Sequence, residues 1–179
     1  MKQANAMSQS AVDVAAVPLM VFLDFDGVLH PFGDRHGRRY SDLPRLEEVL
    51  RLGSDVPVVI TSTERENLPL DALRQPFSPD IAARIVGQTP VLVPASATEL
   101  AGIRYREILQ FLEDHPTQHW IALDDDESLF PPDFPNLILC ENGFDQRAAA
   151  QLESVLRAAA KRSGGGLSST VCAPVTEDP

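Results

Sequence analysis

Lysine is almost absent from this chain, which has only Lys2 and Lys161 among its 179 residues. Acidic residues outnumber basic ones, and the formal net charge is −11. Broad non-specific binding of nucleic acid needs a positive surface, so this charge argues against it, although a local basic site stays open. Any cation needed in the middle of the chain must come from arginine, if it is supplied at all.

Cysteines and long apolar runs are also scarce. Cys140 and Cys172 do not have the spacing of a metal site, and a reducing cytoplasm is the simplest compartment for them. No apolar run approaches the ~20 residues that are needed to span a bilayer, so no membrane contact is expected. Residues 1–17 lack the sustained apolar stretch of a signal peptide, and we expect a disordered leader there.

The rest of the chain has the length of one domain with a sizeable core, which we place at residues 18–162. Residues 163–179 begin with a run of serine and glycine and are expected to form a flexible tail. Short apolar runs within the domain predict strands at 19–23, 56–60, 83–86, 121–123 and 137–140. Helices are predicted at 44–52, 104–112 and 146–161, while the segment from Thr61 through Pro79 is turn-rich. This alternation predicts an α/β fold with a mainly parallel central sheet covered on both faces.

The first predicted strand ends in two aspartates one residue apart, Asp24 and Asp26, followed by Gly27. Carboxylates at the end of a buried strand need a partner, and a hard cation such as Mg²⁺ takes oxygen ligands. One aspartate can act as a covalent nucleophile while the other serves as general acid and base. The alternatives are an Asp-Gly turn or a calcium-binding loop, but such a loop would want a glutamate where Arg35 stands.

Two more predicted strands end in polar side chains. Thr61 and Ser62 follow the second strand, and Asp124 and Asp125 follow the fourth. Ligands of open α/β sheets bind beyond the carboxyl ends of the strands, so the three strand ends are expected to meet at one site. Taken alone, the hydroxyls could be turn caps and the acids a surface loop, but adjacent acids after an apolar strand repel each other and indicate a cation.

These segments resemble the motifs of the haloacid dehalogenase (HAD) superfamily. The stretch 21–30 resembles motif I, 58–63 resembles motif II and 121–125 resembles motif IV, and the resemblance covers about residues 21–156. It implies a three-layer Rossmann-like fold. It also implies that Asp24 attacks phosphorus and that Asp26 protonates the leaving group and then activates water.

The same resemblance assigns the remaining ligands of the site. A hydroxyl of motif II would donate to the phosphoryl group, with Thr61 as the expected donor and Ser62 as the alternative. Mg²⁺ would be held by Asp24, by the backbone carbonyl of Asp26 and by Asp124 or Asp125.

The chain departs from the superfamily at motif III, whose cation is usually a lysine. Neither lysine lies between motifs II and IV, but Arg104 and Arg106 open the helix just before motif IV. Arg104 is the expected replacement and Arg106 the alternative, unless both are solvated on a helix face. Arginine can bind phosphate through two parallel hydrogen bonds, but it is a planar fork rather than a compact point charge.

The short spacings between the motifs leave no room for a large cap domain. An open site suits a large phosphorylated substrate, such as a nucleic-acid end or a phosphoprotein. Arg35, Arg38 and Arg39 follow the nucleophile and are expected to bind that substrate, unless they form only a solvated loop. The ending at Asp124 and Asp125, with residues 142–144, most resembles the small HAD domains associated with RNA-repair proteins.

The expected function is that of a Mg²⁺-dependent phosphohydrolase acting through an aspartyl-phosphate. Two other functions stay open at this point. A non-catalytic binding or regulatory module could keep the same fold, and the missing lysine is the best support for it. A phosphotransferase would pass the phosphoryl group to an alcohol instead of water.

Overall fold

The computed structural model of the protein describes residues 19–33, 39–53, 55–117 and 119–164. The predicted leader at 1–17, nearly all of the predicted tail at 163–179, and Arg35 and Arg38 lie outside the described residues. The domain bounds of 18–162 therefore stay a prediction. Within the described ranges, no helix combines the length and apolar character needed to cross a membrane.

Five strands form one sheet in which every pairing is parallel. In chain order they are β1 (Met20–Leu23), β2 (Val58–Ile60), β3 (Ile85–Gln88), β4 (Trp120–Asp124) and β5 (Leu137–Leu139). Their order across the sheet is β3-β2-β1-β4-β5, so β1 is central, with β2 and β4 as its neighbours. This arrangement confirms the predicted α/β fold, and it brings the ends of the three motif-bearing strands side by side.

Helices connect the strands and cover the sheet. They are α1 (Leu43–Leu50), α2 (Leu70–Arg74), α3 (Pro79–Ala82), α4 (Ala97–Leu100), α5 (Ile103–Asp114) and α6 (Gln146–Gly164). Two short 3₁₀ helices, Thr63–Glu66 and Glu127–Leu129, follow β2 and β4. Among the described residues, the connections before and after β2 hold only short elements, which agrees with the expected absence of a large cap.

The two faces of the sheet pack against different layers. Alternate strand residues such as Val21 and Leu23 lie in a core that also contains Leu46 of α1 and Leu152 of α6. Phe22 points to the other face, in a second cluster with residues of α5. Both faces of every central strand are thus covered, which is why these strands are continuous apolar runs.

The second and third strands differ in extent from the prediction. β2 begins at Val58 rather than at residue 56, and β3 lies two residues later than the predicted 83–86. The reason for the shift is α3, whose last turn is capped by Ala83, so that the chain becomes extended only after it. The carbonyl of Arg84 then accepts a hydrogen bond from the backbone N–H of Val58 at 2.9 Å, which starts the β2–β3 pairing.

Candidate active site

The three predicted polar strand ends lie next to one another at the carboxyl edge of the sheet. Asp24 follows the central strand, and its backbone N–H donates to the carbonyl of Leu123 on β4 at 3.0 Å. On the other side, the backbone N–H of Thr61 donates to the carbonyl of Leu23 at 2.8 Å. Asp24 therefore stands between Thr61 and the acids that end β4, as the parallel topology requires.

Three carboxylates form a compact cluster at this edge. Asp24, Asp124 and Asp125 each offer one oxygen, and these oxygens all lie within 4.8 Å of one another. Asp24 and Asp124 are 6% and 1% exposed, whereas Asp125 is half-buried. Within the part of the chain that the structure describes, this is the one such group of three acidic, histidine or cysteine side chains.

The cluster is electrostatically strained. Burial, the charge of Asp124 and the charge of Asp125 raise the pKa of Asp24 to about 8, against the opposing effect of Arg104. Burial and the charge of Asp124 raise the pKa of Asp125 to about 6, and burial also raises the pKa of Asp124. Such a set of hard oxygen donors, short of positive charge, fits a divalent cation such as Mg²⁺.

Gly27 makes room for this cluster. It has a φ of +75°, a left-handed conformation that disfavours other residues. A Cβ atom built on it would lie 2.0 Å from Oδ2 of Asp125, so no other side chain fits while Asp125 stays in place. The glycine of motif I is therefore required both by the turn and by the close approach of the third carboxylate.

Asp26 does not share its side chain with the cluster. Its Oδ1 lies 3.2 Å from Nε2 of His30, a side chain that is 2% exposed. The tautomer with hydrogen on Nε2 would donate to Asp26, and no described residue offers a partner to Nδ1. The Asp26 carboxylate is not one of the three clustered acids, although its charge contributes to raising the pKa of Asp125. A carboxyl group that contacts His30 beside the cluster suits a role in proton transfer.

The two hydroxyl residues after β2 have different surroundings. The Ser62 hydroxyl accepts a hydrogen bond from the backbone N–H of Glu64 at 3.4 Å and so caps the 3₁₀ helix that follows. The Thr61 backbone carbonyl accepts hydrogen bonds from Arg65 and Arg104. Ser62 therefore has a local structural role, which leaves Thr61 as the better candidate for contact with a phosphoryl group.

The two candidate arginines lie on different sides of helix α5. Arg104 is buried, and its guanidinium lies 3.2 Å from Asp124 and 3.7 Å from Asp24. Arg106 is exposed and donates instead to the backbone carbonyls of Glu99 and Ala101 at the end of α4. Residues two apart on a helix point about 200° apart, so only one of them can face the sheet edge, and it is Arg104.

Two buried residues beside Arg104 were not recognised from the sequence. Glu107 lies 3.1 Å from Arg104 and 2.6 Å from Arg65, and all three residues are at most 5% exposed. The available signal for Glu107 was its i+3 spacing from Arg104, next to the apolar Ile108. No comparable signal existed for Arg65, which belongs to a short 3₁₀ helix.

Arg39 borders a cavity of about 300 Å³ whose lining includes Asp26 and His30. Its side chain is 52% exposed, pairs with Glu64 at 2.5 Å and lies over the ring of Tyr40. Of the three arginines predicted to bind substrate, the structure thus places Arg39 at the entrance beside Asp26. Arg35 and Arg38 lie outside the described residues, so their part in substrate binding stays a prediction.

A model of one protein family matches most of this chain. The family model described as the HAD domain in Swiss Army Knife RNA repair proteins matches residues 20–149, which include all the side chains of the site. No curated protein and no solved structure matches the chain.

Proposed function

Because the chain belongs to the family of HAD domains in Swiss Army Knife RNA repair proteins, we propose that it is a Mg²⁺-dependent phosphohydrolase acting on phosphorylated RNA ends. Membership of the family supports a phosphoesterase-type function in general. The single observation that carries Mg²⁺-dependent hydrolysis is the cluster of Asp24, Asp124 and Asp125, two of them buried, flanked by Arg104 and Thr61.

The first chemical step falls to Asp24 and Asp26. A carboxylate oxygen of Asp24 attacks phosphorus in line, and the bond from phosphorus to the leaving oxygen breaks. Asp26, held by His30 outside the acid cluster, gives its proton to that leaving oxygen. The product of this step is an aspartyl-phosphate on Asp24 and a free hydroxyl on the RNA.

The second step reverses the role of Asp26. Its carboxylate takes a proton from water, whose oxygen attacks phosphorus and breaks the bond to Asp24, so that inorganic phosphate leaves. Thr61 and Arg104 orient the phosphoryl oxygens in both steps. A Mg²⁺ ion held by Asp24, Asp124, Asp125 and the backbone carbonyl of Asp26 would offset the charge on those oxygens.

RNA ends should be the preferred substrates of the full chain. We expect phosphate release with Mg²⁺ from RNA oligonucleotides carrying a 3′- or 5′-phosphate, at higher kcat/KM than from a phosphopeptide, a sugar phosphate or an aryl phosphate. The open site, whose described connections hold no large cap, favours a macromolecule over a small metabolite, and membership of the RNA-repair family favours RNA over a phosphopeptide. Efficient turnover of a sugar phosphate with none of the RNA ends would contradict the substrate class.

The same assay separates the two other functions. Transfer of the phosphoryl group to an added alcohol, in place of release to water, would identify a phosphotransferase. No turnover of any substrate, with Mg²⁺ present and the protein folded, would favour the non-catalytic module. The buried Arg104 supports the catalytic function, because it places beside Asp24 the positive charge that a lysine usually supplies.

Replacement of the two α5 arginines should have unequal effects on activity. Arg104→Ala should lower kcat by about 10²-fold, because it removes a fixed positive charge beside the reacting phosphoryl group. Arg106→Ala, the matched control two residues away, should leave kcat within about twofold of wild type because its exposed side chain only bonds backbone carbonyls at the end of α4. Steady-state kinetics on the best RNA substrate measures both. The reverse order of losses would move the role to Arg106.

Arg39 should matter for large substrates only. Arg39→Ala should raise the KM of an RNA end about fivefold at low salt, and the effect should shrink as salt screens an exposed charge. The KM of an aryl phosphate should hardly change. Arg157→Ala is the matched control, since it removes an equally exposed arginine that pairs with Glu153 on α6. Equal effects of the two variants on RNA would show that only net charge matters.

A further inference from the structure

The guanidinium of Arg104 is fixed by contacts on three sides. Its Nε lies 3.2 Å from Oδ2 of Asp124, and its Nη1 lies 3.1 Å from Oε2 of Glu107 and donates to the carbonyl of Thr61. Its Nη2 is the nitrogen nearest to the nucleophile, 3.7 Å from Oδ1 of Asp24. One edge of the planar fork is therefore turned away from Asp24 while the other faces it.

Glu107 is the group that turns that edge away. Its Oε2 also accepts from Nη2 of Arg65 at 2.6 Å, and its Oε1 accepts from the backbone N–H of Leu92 at 3.1 Å. With 3% of its surface exposed, Glu107 is a buried carboxylate whose two oxygens both have partners. It can occupy this position only because two guanidinium groups share its charge.

Arg65 is in turn fastened to the backbone around the end of β2. Its Nη1 donates to the carbonyls of Thr61 and Ser62, the latter at 2.9 Å, and its Nε donates to the carbonyl of Thr89 at 3.2 Å. It is 4% exposed and lies in the 3₁₀ helix that follows motif II. Arg65 therefore anchors Glu107 to a rigid strand end instead of to a mobile surface.

Without Glu107 and Arg65, the acid cluster would be the only group of negative charges that attracts Arg104. Both Asp24 and Asp124 attract it, and a guanidinium that paired fully with them would compete with a divalent cation for the same oxygens. A negative charge behind Arg104 balances that attraction. This balance is specific to an arginine, because a lysine ammonium cannot present separate edges to two partners.

We propose that Arg65 and Glu107 are positioning residues that hold Arg104 at the phosphoryl-binding site, which lets an arginine act where motif III of the HAD superfamily usually has a lysine. This inference rests on the proposed function, since it assigns Arg104 to the phosphoryl group. Neither residue touches the substrate. Their effect on the reaction passes entirely through Arg104.

A double-mutant cycle tests this dependence. Glu107→Gln keeps the shape and removes the charge, and it should lower kcat about tenfold with little change in KM. In the Arg104→Ala background, Glu107→Gln should cause no further loss of kcat. A purely structural role for Glu107 would give the same fold-loss in both backgrounds and would overturn the proposal. So would unchanged kcat for Glu107→Gln alone.

Two additions keep the test decisive. Glu113→Gln, an exposed carboxylate on the same helix, is the matched control and should leave kcat unchanged. If Glu107→Gln shows no cooperative thermal unfolding and so does not fold, Glu107→Asp replaces it, because aspartate keeps the charge but is too short to reach both arginines. Glu107→Asp should likewise lower kcat in the wild-type background and cause no further loss in the Arg104→Ala background.

The double-mutant cycle can also be measured without turnover. Calorimetry then gives the affinity of the full chain and its variants for orthovanadate with Mg²⁺ present. Glu107→Gln should weaken that binding in the wild-type background and not in the Arg104→Ala background. This reading separates the two proposals, because a chain that binds orthovanadate in this pattern but releases no phosphate from any substrate would refute the phosphohydrolase alone. Equal weakening in both backgrounds, or no binding by wild type, would overturn the positioning role.

Discussion

Asp24→Asn should abolish phosphate release, with a loss on the order of 10³-fold or more, while the fold survives. The Asp24 carboxylate is the expected nucleophile at the end of the central strand, and an amide of the same shape cannot form the acyl-phosphate. The residue is only 6% exposed, but the change keeps its volume and therefore leaves no cavity. Phosphate release and the thermal midpoint of unfolding are the two measurements.

The same variant should change how stability depends on pH. In the folded, metal-free protein the pKa of Asp24 is about 8, against an ordinary value of 3.8. Between these values the folded state keeps a proton that the unfolded state has lost, so the free energy of unfolding falls as pH rises. The wild type should therefore lose stability between about pH 4 and pH 8, and Asp24→Asn should lose less.

Asp114→Asn provides the control, since it makes the same chemical change at an exposed position at the end of α5. It should affect neither activity nor the pH dependence of stability. Retained turnover in Asp24→Asn would refute covalent catalysis by this residue. A thermal midpoint well below that of wild type at pH 8 would instead contradict the electrostatic strain assigned to the acid cluster.

The sequence was sufficient to predict that the three polar strand ends lie together, for a physical reason. Parallel strands end at one edge of a sheet, and the end of a buried strand is visible as the point where an apolar run stops. Such points are occupied by Asp24, Thr61 and Asp124. Predicting the three strands therefore also predicted that these three residues are neighbours at the sheet edge. The fold class followed from the same alternation of apolar runs with helices.

What lay beyond prediction depends on contacts between elements that are distant in sequence. The link from Arg65 to Glu107 joins a 3₁₀ helix after β2 to the second turn of α5, and no local pattern announces it. The sequence already favoured Arg104 over Arg106, and the structure adds the physical reason, since the packing of residues such as Ile108 against the sheet sets the rotation of α5 about its axis. Helices α2, α3 and α4 were missed because four or five residues are too few to show a helical period.

Removal of the metal should abolish activity, and the loss should be fully reversible. We expect no phosphate release in the presence of a chelator and recovery when Mg²⁺ is returned in excess. Asp124→Asn should lower kcat by at least about 10²-fold, because it removes one of the three clustered carboxylates. Asp126→Asn, the next acid but one, should behave like wild type, since its exposed side chain caps a 3₁₀ helix and an amide can do the same.

Thermal unfolding gives an independent reading of the same site. A cation that binds only the folded protein raises the thermal midpoint, and protons compete with it for the carboxylates. Because the pKa values of Asp24 and Asp125 are raised to about 8 and about 6, Mg²⁺ should stabilise the wild type more at pH 8 than at pH 5. Asp124→Asn should lose most of this stabilisation and Asp126→Asn should keep it. Two results together would rule out a metal at this cluster: activity that survives chelation, and a thermal midpoint that Mg²⁺ does not change at either pH. Arg104 would then be the main positive charge beside the phosphoryl group.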